Sequence, residues 1–240
     1  MKALQGQIAL VTGAGSGIGR ALAAALAAHG ASVWLAGRRP EALEETAELV
    51  RAHGVEAHVC PTDLERDDDL SALAGRVQRG GLDILVHNAG TMTFGAVEAT
   101  PVAELDRQYR VTLRAPYLLT QALLPLLRAR AGQIVFVNSS AGLASRQSLT
   151  QYAAVKFGLK ALADGLRGEV NRDGIRVLSV YPGRTATPLQ QAFAQKEGVA
   201  YEGEHLAQPA DVAAVVLSAL TLPRTAEVTD LAVRPHHPPR

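Results

Sequence analysis

Thr12-Gly13-Ala14-Gly15-Ser16-Gly17-Ile18-Gly19 is the stretch on which the reading of this chain turns. It follows an apolar run, 7–12, that reads as a strand. It precedes an Ala- and Leu-rich stretch, 18–30, which Gly30 ends as a glycine just past a helix C-terminus does. Gly13 can make the tight turn, Gly17 lets backbone approach a pyrophosphate, and Gly19 lets helix and strand pack closely. The helix N-terminus then offers unpaired N–H groups and a positive dipole end to phosphates, so Gly15, Ser16 and Ile18 join the three glycines as binding candidates. The spacing is T-G-x-x-x-G-x-G. The stricter G-x-G-x-x-G pattern would need glycine at Ile18 or Arg20, so the strand–turn–helix context carries the inference to phosphate.

Outward from this turn, strand-like runs at 32–37, 56–61, 83–88, 132–138, 176–181 and 227–233 alternate with helical ones at 40–53, 66–80, 101–130, 149–173 and 211–222. Such alternation predicts an α/β fold: one doubly wound domain over 1–235, with a mainly parallel seven-stranded sheet flanked by helices on both faces. Segment 183–208 reads as irregular, with 188–208 a candidate substrate lid, and 236–240 as a flexible tail.

Composition narrows the function. With 24 Lys and Arg against 23 Asp and Glu there is no basic face for nucleic acid. Cys60 is the one cysteine, which excludes an internal disulfide framework and fits a reducing compartment. No apolar run reaches the ~18 residues of a membrane span, and the first residues carry no signal-peptide pattern, so a cytoplasmic location is expected.

A ribose 2′-hydroxyl is usually held by an acidic residue at the end of the second strand. Gly37 stands there, followed by Arg38 and Arg39. A carboxylate would repel a 2′-phosphate, whereas arginine can grip one with two donors. NADP(H) is therefore expected over NAD(H).

Tyr152 and Lys156, four apart at the start of a helix, share a face. A phenol titrates near ~10. An ammonium beside it favours the phenolate, and the tuned tyrosine can then act as general acid to a carbonyl or base to an alcohol. Ser139 and Ser140 lie just past the fifth strand, where a hydroxyl points to the crevice in which open α/β sheets bind ligands. Either can hydrogen-bond a reacting oxygen.

Together these residues resemble the short-chain dehydrogenase/reductase family, a Rossmann-type fold, over nearly the whole chain. Thr12-Gly13, Gly17 and Gly19 are similar to its cofactor turn, Thr62-Asp63-Leu64 to its adenine contact, and Asn88-Ala89-Gly90 to its motif after strand four. Pro182-Gly183-Arg184-Thr185-Ala186-Thr187 is similar to its nicotinamide clamp. The resemblance implies cofactor contacts at Asp63, Leu64, Asn88, Ala89, Gly90, Pro182, Gly183, Thr185 and Thr187, and selects Ser139 over Ser140. It implies hydride transfer between nicotinamide C4 and a carbonyl or alcohol, with Tyr152 exchanging the proton. Lys156 would hold the nicotinamide ribose and depress the Tyr152 pKa, and Ser139 would orient the substrate oxygen. It also implies a homodimer or homotetramer. A non-catalytic NADP(H)-binding sensor, or a scaffold on the same fold, is the alternative.

The sequence departs from the family in the long helix. In Val111-Thr112-Leu113-Arg114-Ala115-Pro116, Thr112 replaces the asparagine of the family's proton relay. Pro116 has no N–H to give the Thr112 carbonyl and should kink the helix, leaving that carbonyl open to a water.

Cys60 reads as a small buried hydrophobe, Asp67-Asp68-Asp69 as the acidic first turn of a helix, and His236-His237 as a tail without a closed metal-ligand set; no metal site is expected. Met92, Phe94, Leu143, Leu189 and Phe193 together suggest an apolar substrate pocket, while Arg184 fits either the pocket or solvent.

Overall fold

Because both faces of the sheet are covered, its strands are near-continuous apolar runs, and each run seen in the sequence becomes a strand. In the computed structural model, which describes residues 2–236, the chain runs β1 (Ile8–Thr12), α1 (Gly17–Ala28), β2 (Ser32–Gly37), α2 (Pro40–Arg51), β3 (Ala57–Pro61), α3 (Asp67–Val77), β4 (Ile84–His87) and α4 (Val102–Tyr109). It continues through α5 (Ala115–Ala129), β5 (Gln133–Val137), α6 (Thr150–Val170), β6 (Arg176–Pro182), α7 (Pro188–Glu197), α8 (Pro209–Leu220) and β7 (Asp230–Val233). The sheet has seven strands in the order β3-β2-β1-β4-β5-β6-β7, every neighbouring pair parallel.

Strand alternation sorts β1 between two cores. Ala9 and Val11 face α1, α2 and α8, packing with Leu22, Leu26 and Val216. Leu10 faces the other way, among Leu119, Leu123, Phe136 and Leu159 of α5, β5 and α6. The strand order reverses between β1 and β4, and the crevice for ligands opens beyond the carboxyl ends of these two strands.

Two long segments differ from the sequence expectation. The helical run 101–130 is broken: α4 stops at Tyr109, Arg110–Arg114 forms a π-helical turn, and α5 restarts at Ala115. The cause is Pro116, which removes one rung of the α-helical ladder; the Ala115 N–H reaches back five residues to the Arg110 carbonyl. The expected bend is thus present as a widened turn.

Segment 183–208 is not irregular throughout, because it contains the ten-residue helix α7. Its end signals are ordinary: Thr187 accepts from the Gln190 N–H, Pro188 takes the first position, and Gly198 closes it at φ +71°. Its buried face is only Phe193 and Ala194, too narrow a stripe to show as a period in the sequence. The last strand is also shorter than expected, pairing only over Asp230–Val233 at the sheet edge.

Candidate active site

The glycine turn is shaped by contacts with the two central strands. Gly13 (φ +66°) and Gly17 (φ +53°) take left-handed backbone that glycine adopts at no steric cost. A Cβ on Gly19 would lie 2.2 Å from the Gly13 carbonyl oxygen, so the first turn of α1 sits directly on the loop. A Cβ on Gly17 would stand 2.9 Å from the Thr187 methyl, so this glycine also admits the start of α7. Asn88 braces the turn: its Nδ2 donates to the carbonyls of Thr12 (2.9 Å) and Gly13 (3.2 Å). The Thr12 hydroxyl accepts from the N–H groups of Asn88 and Ala89 at 3.0 and 3.2 Å and donates to the Val86 carbonyl. In the sequence these are two separate motifs, and only the fold splices them, β1 to β4.

One cavity of about 630 Å3 opens over this turn and gathers most of the predicted residues. Gly13, Gly15, Ser16, Gly17 and Ile18 line one part, with Arg38, Arg39, Asp63 and Leu64 beside them. Asn88, Ala89, Gly90, Pro182, Gly183, Thr185 and Thr187 line it as well, as do Ser139, Tyr152 and Lys156. Gly19 lies beneath the wall as a spacer, and Thr112 is buried behind it. Arg38 and Arg39 are exposed and form no ion pair among the described residues. They flank the N-terminus of α2, which Pro40 begins.

Ser139 caps a short 3-10 turn, Ser140–Gly142, its Oγ accepting from the Ala141 N–H at 3.1 Å. It lines the cavity with Tyr152 and its hydroxyl favours the Tyr152 phenolate, while Ser140 is exposed, so the structure groups Ser139 with Tyr152. Tyr152 and Lys156 are 8% and 3% exposed, and Nζ stands 5.8 Å from the phenol ring centroid, as one helical turn requires. Lys156 donates to the Val137 carbonyl at 3.0 Å. Asn138, not singled out in the sequence, holds that helix from the strand side by donating to the Lys156 carbonyl at 3.1 Å.

Burial corrects one expectation. Removal from water raises the Tyr152 pKa above its ordinary value, and the Ser139 hydroxyl offsets this only in part. Burial also pulls Lys156 down to about 7, so its ammonium form is itself disfavoured and does not drag the phenol down.

Thr112 lies in the π-helical turn, 1% exposed, with its Oγ1 lacking a hydrogen-bond partner. A Cβ placed on Gly90 would meet Thr112 Oγ1 at 3.7 Å and Lys156 Nζ at 3.9 Å, so both face the same small space left by that glycine.

Around Tyr152 the wall is apolar. Ala141, Leu149, Tyr152 and Phe193 form a buried cluster on which Met92 and Phe94 pack, the Phe94 and Phe193 rings meeting edge-on at 5.4 Å. Leu189 lines the cavity, but Leu143 is exposed and stands outside it. Arg184 lines the cavity and pairs with Glu197 at 2.9 Å. Cys60 is buried, which pushes its thiol pKa up. Asp67, Asp68 and Asp69 form the first turn of α3. No cluster of metal-ligating side chains occurs among the described residues, and His237 lies outside them. No helix among them is long and apolar enough to cross a membrane.

The short chain dehydrogenase family profile matches residues 7–198. The chain belongs to the short-chain dehydrogenase family. Members similar to it include an uncharacterized oxidoreductase of Staphylococcus aureus strain USA300, 34% identical over 238 residues, covering 98% of this chain and all of that one. Among solved structures, this short-chain dehydrogenase resembles an alcohol dehydrogenase from the archaeon Thermococcus sibiricus complexed with 5-hydroxy-NADP (26% identity, TM-score 0.88, 98% and 99% of the two chains). It also resembles a metagenomic short-chain oxidoreductase in complex with NADP (33% identity, TM-score 0.84, 98% and 100% of the two chains). The parallel seven-stranded Rossmann-type sheet is shared with these relatives.

Proposed function

We propose that this short-chain dehydrogenase is an NADP(H)-dependent oxidoreductase that interconverts a carbonyl and a secondary alcohol, with Tyr152 as general acid and base. The observation that carries this reading is the shared cavity: the glycine turn, Ser139 and the buried Tyr152 and Lys156 open into the same space. The residues suit a dinucleotide phosphate. The helix N-terminus at Gly17 presents its free N–H groups beside the turn, and the unpaired guanidinium groups of Arg38 and Arg39 stand at the end of β2 without an acidic residue to repel a 2′-phosphate. NADP-bound relatives agree with this choice.

When bound, the nicotinamide supplies or accepts the hydride. The chain's own residues handle the oxygen and the proton. Ser139 and Tyr152 both line the cavity and would bind the substrate oxygen there. Burial keeps Tyr152 protonated, the form that donates to an oxygen gaining charge during reduction. Lys156, poised near neutrality, takes or gives a proton at Nζ across the space it shares with Thr112. The buried, unpartnered Thr112 hydroxyl would hold a water there, and Pro116 leaves the Thr112 carbonyl without its usual α-helical donor. The apolar wall of Met92, Leu149 and Phe193 favours a small to medium apolar substrate, with α7 serving as the lid. Tyr117 and Phe157, half-exposed on α5 and α6, support a homodimer or homotetramer through those helices.

The test is a screen of the purified protein with NADPH against ketones, aldehydes and quinones, following loss of NADPH absorbance, repeated with NADH and with Arg38→Asp. Activity preferring NADPH, with the preference lost in Arg38→Asp, is the expected result. A wild-type protein preferring NADH would refute the cofactor assignment, and a Tyr152→Phe protein as fast as wild type would refute the catalytic one.

A further inference from the structure

We propose that Arg20 is a positioning residue that sets the NADPH-over-NADH preference by locking α2, and with it Arg38 and Arg39, onto the glycine turn. This rests on the cofactor reading above. Arg20 stands in the first turn of α1 but does not line the cavity. Its Nη2 reaches back to the Gly15 carbonyl at 2.7 Å, across to the Ala42 carbonyl at 3.4 Å, and to Glu45 Oε2 at 2.7 Å. One guanidinium therefore touches the loop beside the phosphate-facing helix end and two successive turns of α2.

The same seam is closed from the other side. Thr46 Oγ1 lies 3.0 Å from both the Ala14 and Ala42 carbonyls, and a Cβ on Gly15 would approach the Ala42 methyl to 3.2 Å. Arg38 and Arg39 directly precede Pro40, the first residue of α2, so any shift of that helix along the turn moves both guanidinium groups relative to the pyrophosphate site. Neither has a partner of its own to fix it among the described residues. The distance between two phosphate sites is thus set by a side chain that touches neither.

The experiment is a double-mutant cycle read as the ratio of KM for NADH to KM for NADPH. Arg20→Gln should lower this ratio about tenfold, with kcat at saturating NADPH changed by less than about twofold. In an Arg38→Ala/Arg39→Ala background, Arg20→Gln should leave the ratio unchanged, since the groups it positions are gone. Glu45→Gln, at a 63% exposed side chain that carries no fold-level role, should shift the ratio the same way by a smaller factor, which protects the test should Arg20→Gln fold poorly. A ratio that does not fall in Arg20→Gln and Glu45→Gln, or that falls equally in both backgrounds, overturns the inference and leaves the cofactor reading standing. A wild-type ratio in the Arg38→Ala/Arg39→Ala protein would sink the cofactor reading, and the inference with it.

Discussion

At the glycine turn, the polar groups that shape the loop answer one another: Asn88 Nδ2 is taken by two carbonyls, and Thr12 Oγ1 by two N–H groups and a carbonyl. Around Tyr152 they do so only in part, with Lys156 donating to the Val137 carbonyl. Tyr152 is held as a phenol by burial, Lys156 is pulled to about 7, and Thr112 Oγ1 has no partner. The first region is a rigid backbone cradle whose cost of assembly is met within the fold. The second keeps desolvated groups, which the proposed reaction would use.

The sharpest way to break this contrast is Tyr152→Phe. It removes one oxygen from the desolvated end and should lower kcat/KM by about a hundredfold to ten-thousandfold while NADPH still binds, as cofactor fluorescence would report. Normal turnover would show that the unsatisfied end is not where the chemistry happens.

Gly19→Ala probes the rigid end. With a Cβ 2.2 Å from the Gly13 oxygen the loop cannot stay where it is, so stability should fall by about 3 kcal/mol and NADPH titration should flatten. A protein with unchanged melting temperature and binding would mean that the turn is looser than its contacts imply.

Lys156→Met separates function from stability. An unfolded lysine titrates near ~10.4, and Lys156 in the fold at about 7, so between those values the unfolded chain carries the extra proton and stability rises with pH. Melting temperature without cofactor should therefore climb from pH 7 toward 10. Lys156→Met should lose that climb, remain at least as stable near pH 7, and be impaired in turnover. A climb that persists in the variant would place its origin elsewhere.

The smallest effect is expected from Thr112→Val, which keeps the shape and deletes the orphan hydroxyl. Turnover should fall about tenfold with no loss of stability, since no hydrogen bond within the protein is broken. Unchanged turnover with an unchanged pH profile would remove the Thr112 hydroxyl from the proposed proton path.

How much could be read in advance follows the same division. Gly13 and Gly19 were legible because their need is steric and local: a turn and a close approach leave glycine as the residue. The Tyr152–Lys156 spacing was legible because four residues make one helical turn. The direction of their pKa shifts was not, because burial among Leu149, Phe193 and Phe94 arises from segments far apart in the chain. Helix α7 escaped notice because two buried residues make no periodic stripe, although Thr187, Pro188 and Gly198 marked its ends. Leu143 read as pocket wall but is exposed, since one apolar residue on a loop carries no information about direction.

From the amino-acid order alone come the alternation of strands and helices, the parallel sheet it demands, and the chemical types that meet at the cavity, since these depend on periodicity and on spacings of a few residues. The assembled fold decided that Asn88 splices β1 to β4, that Arg20 ties the glycine turn to α2, and that Lys156 sits near neutrality. Such facts are set by contacts across long sequence separations and by removal from water, which no local pattern records.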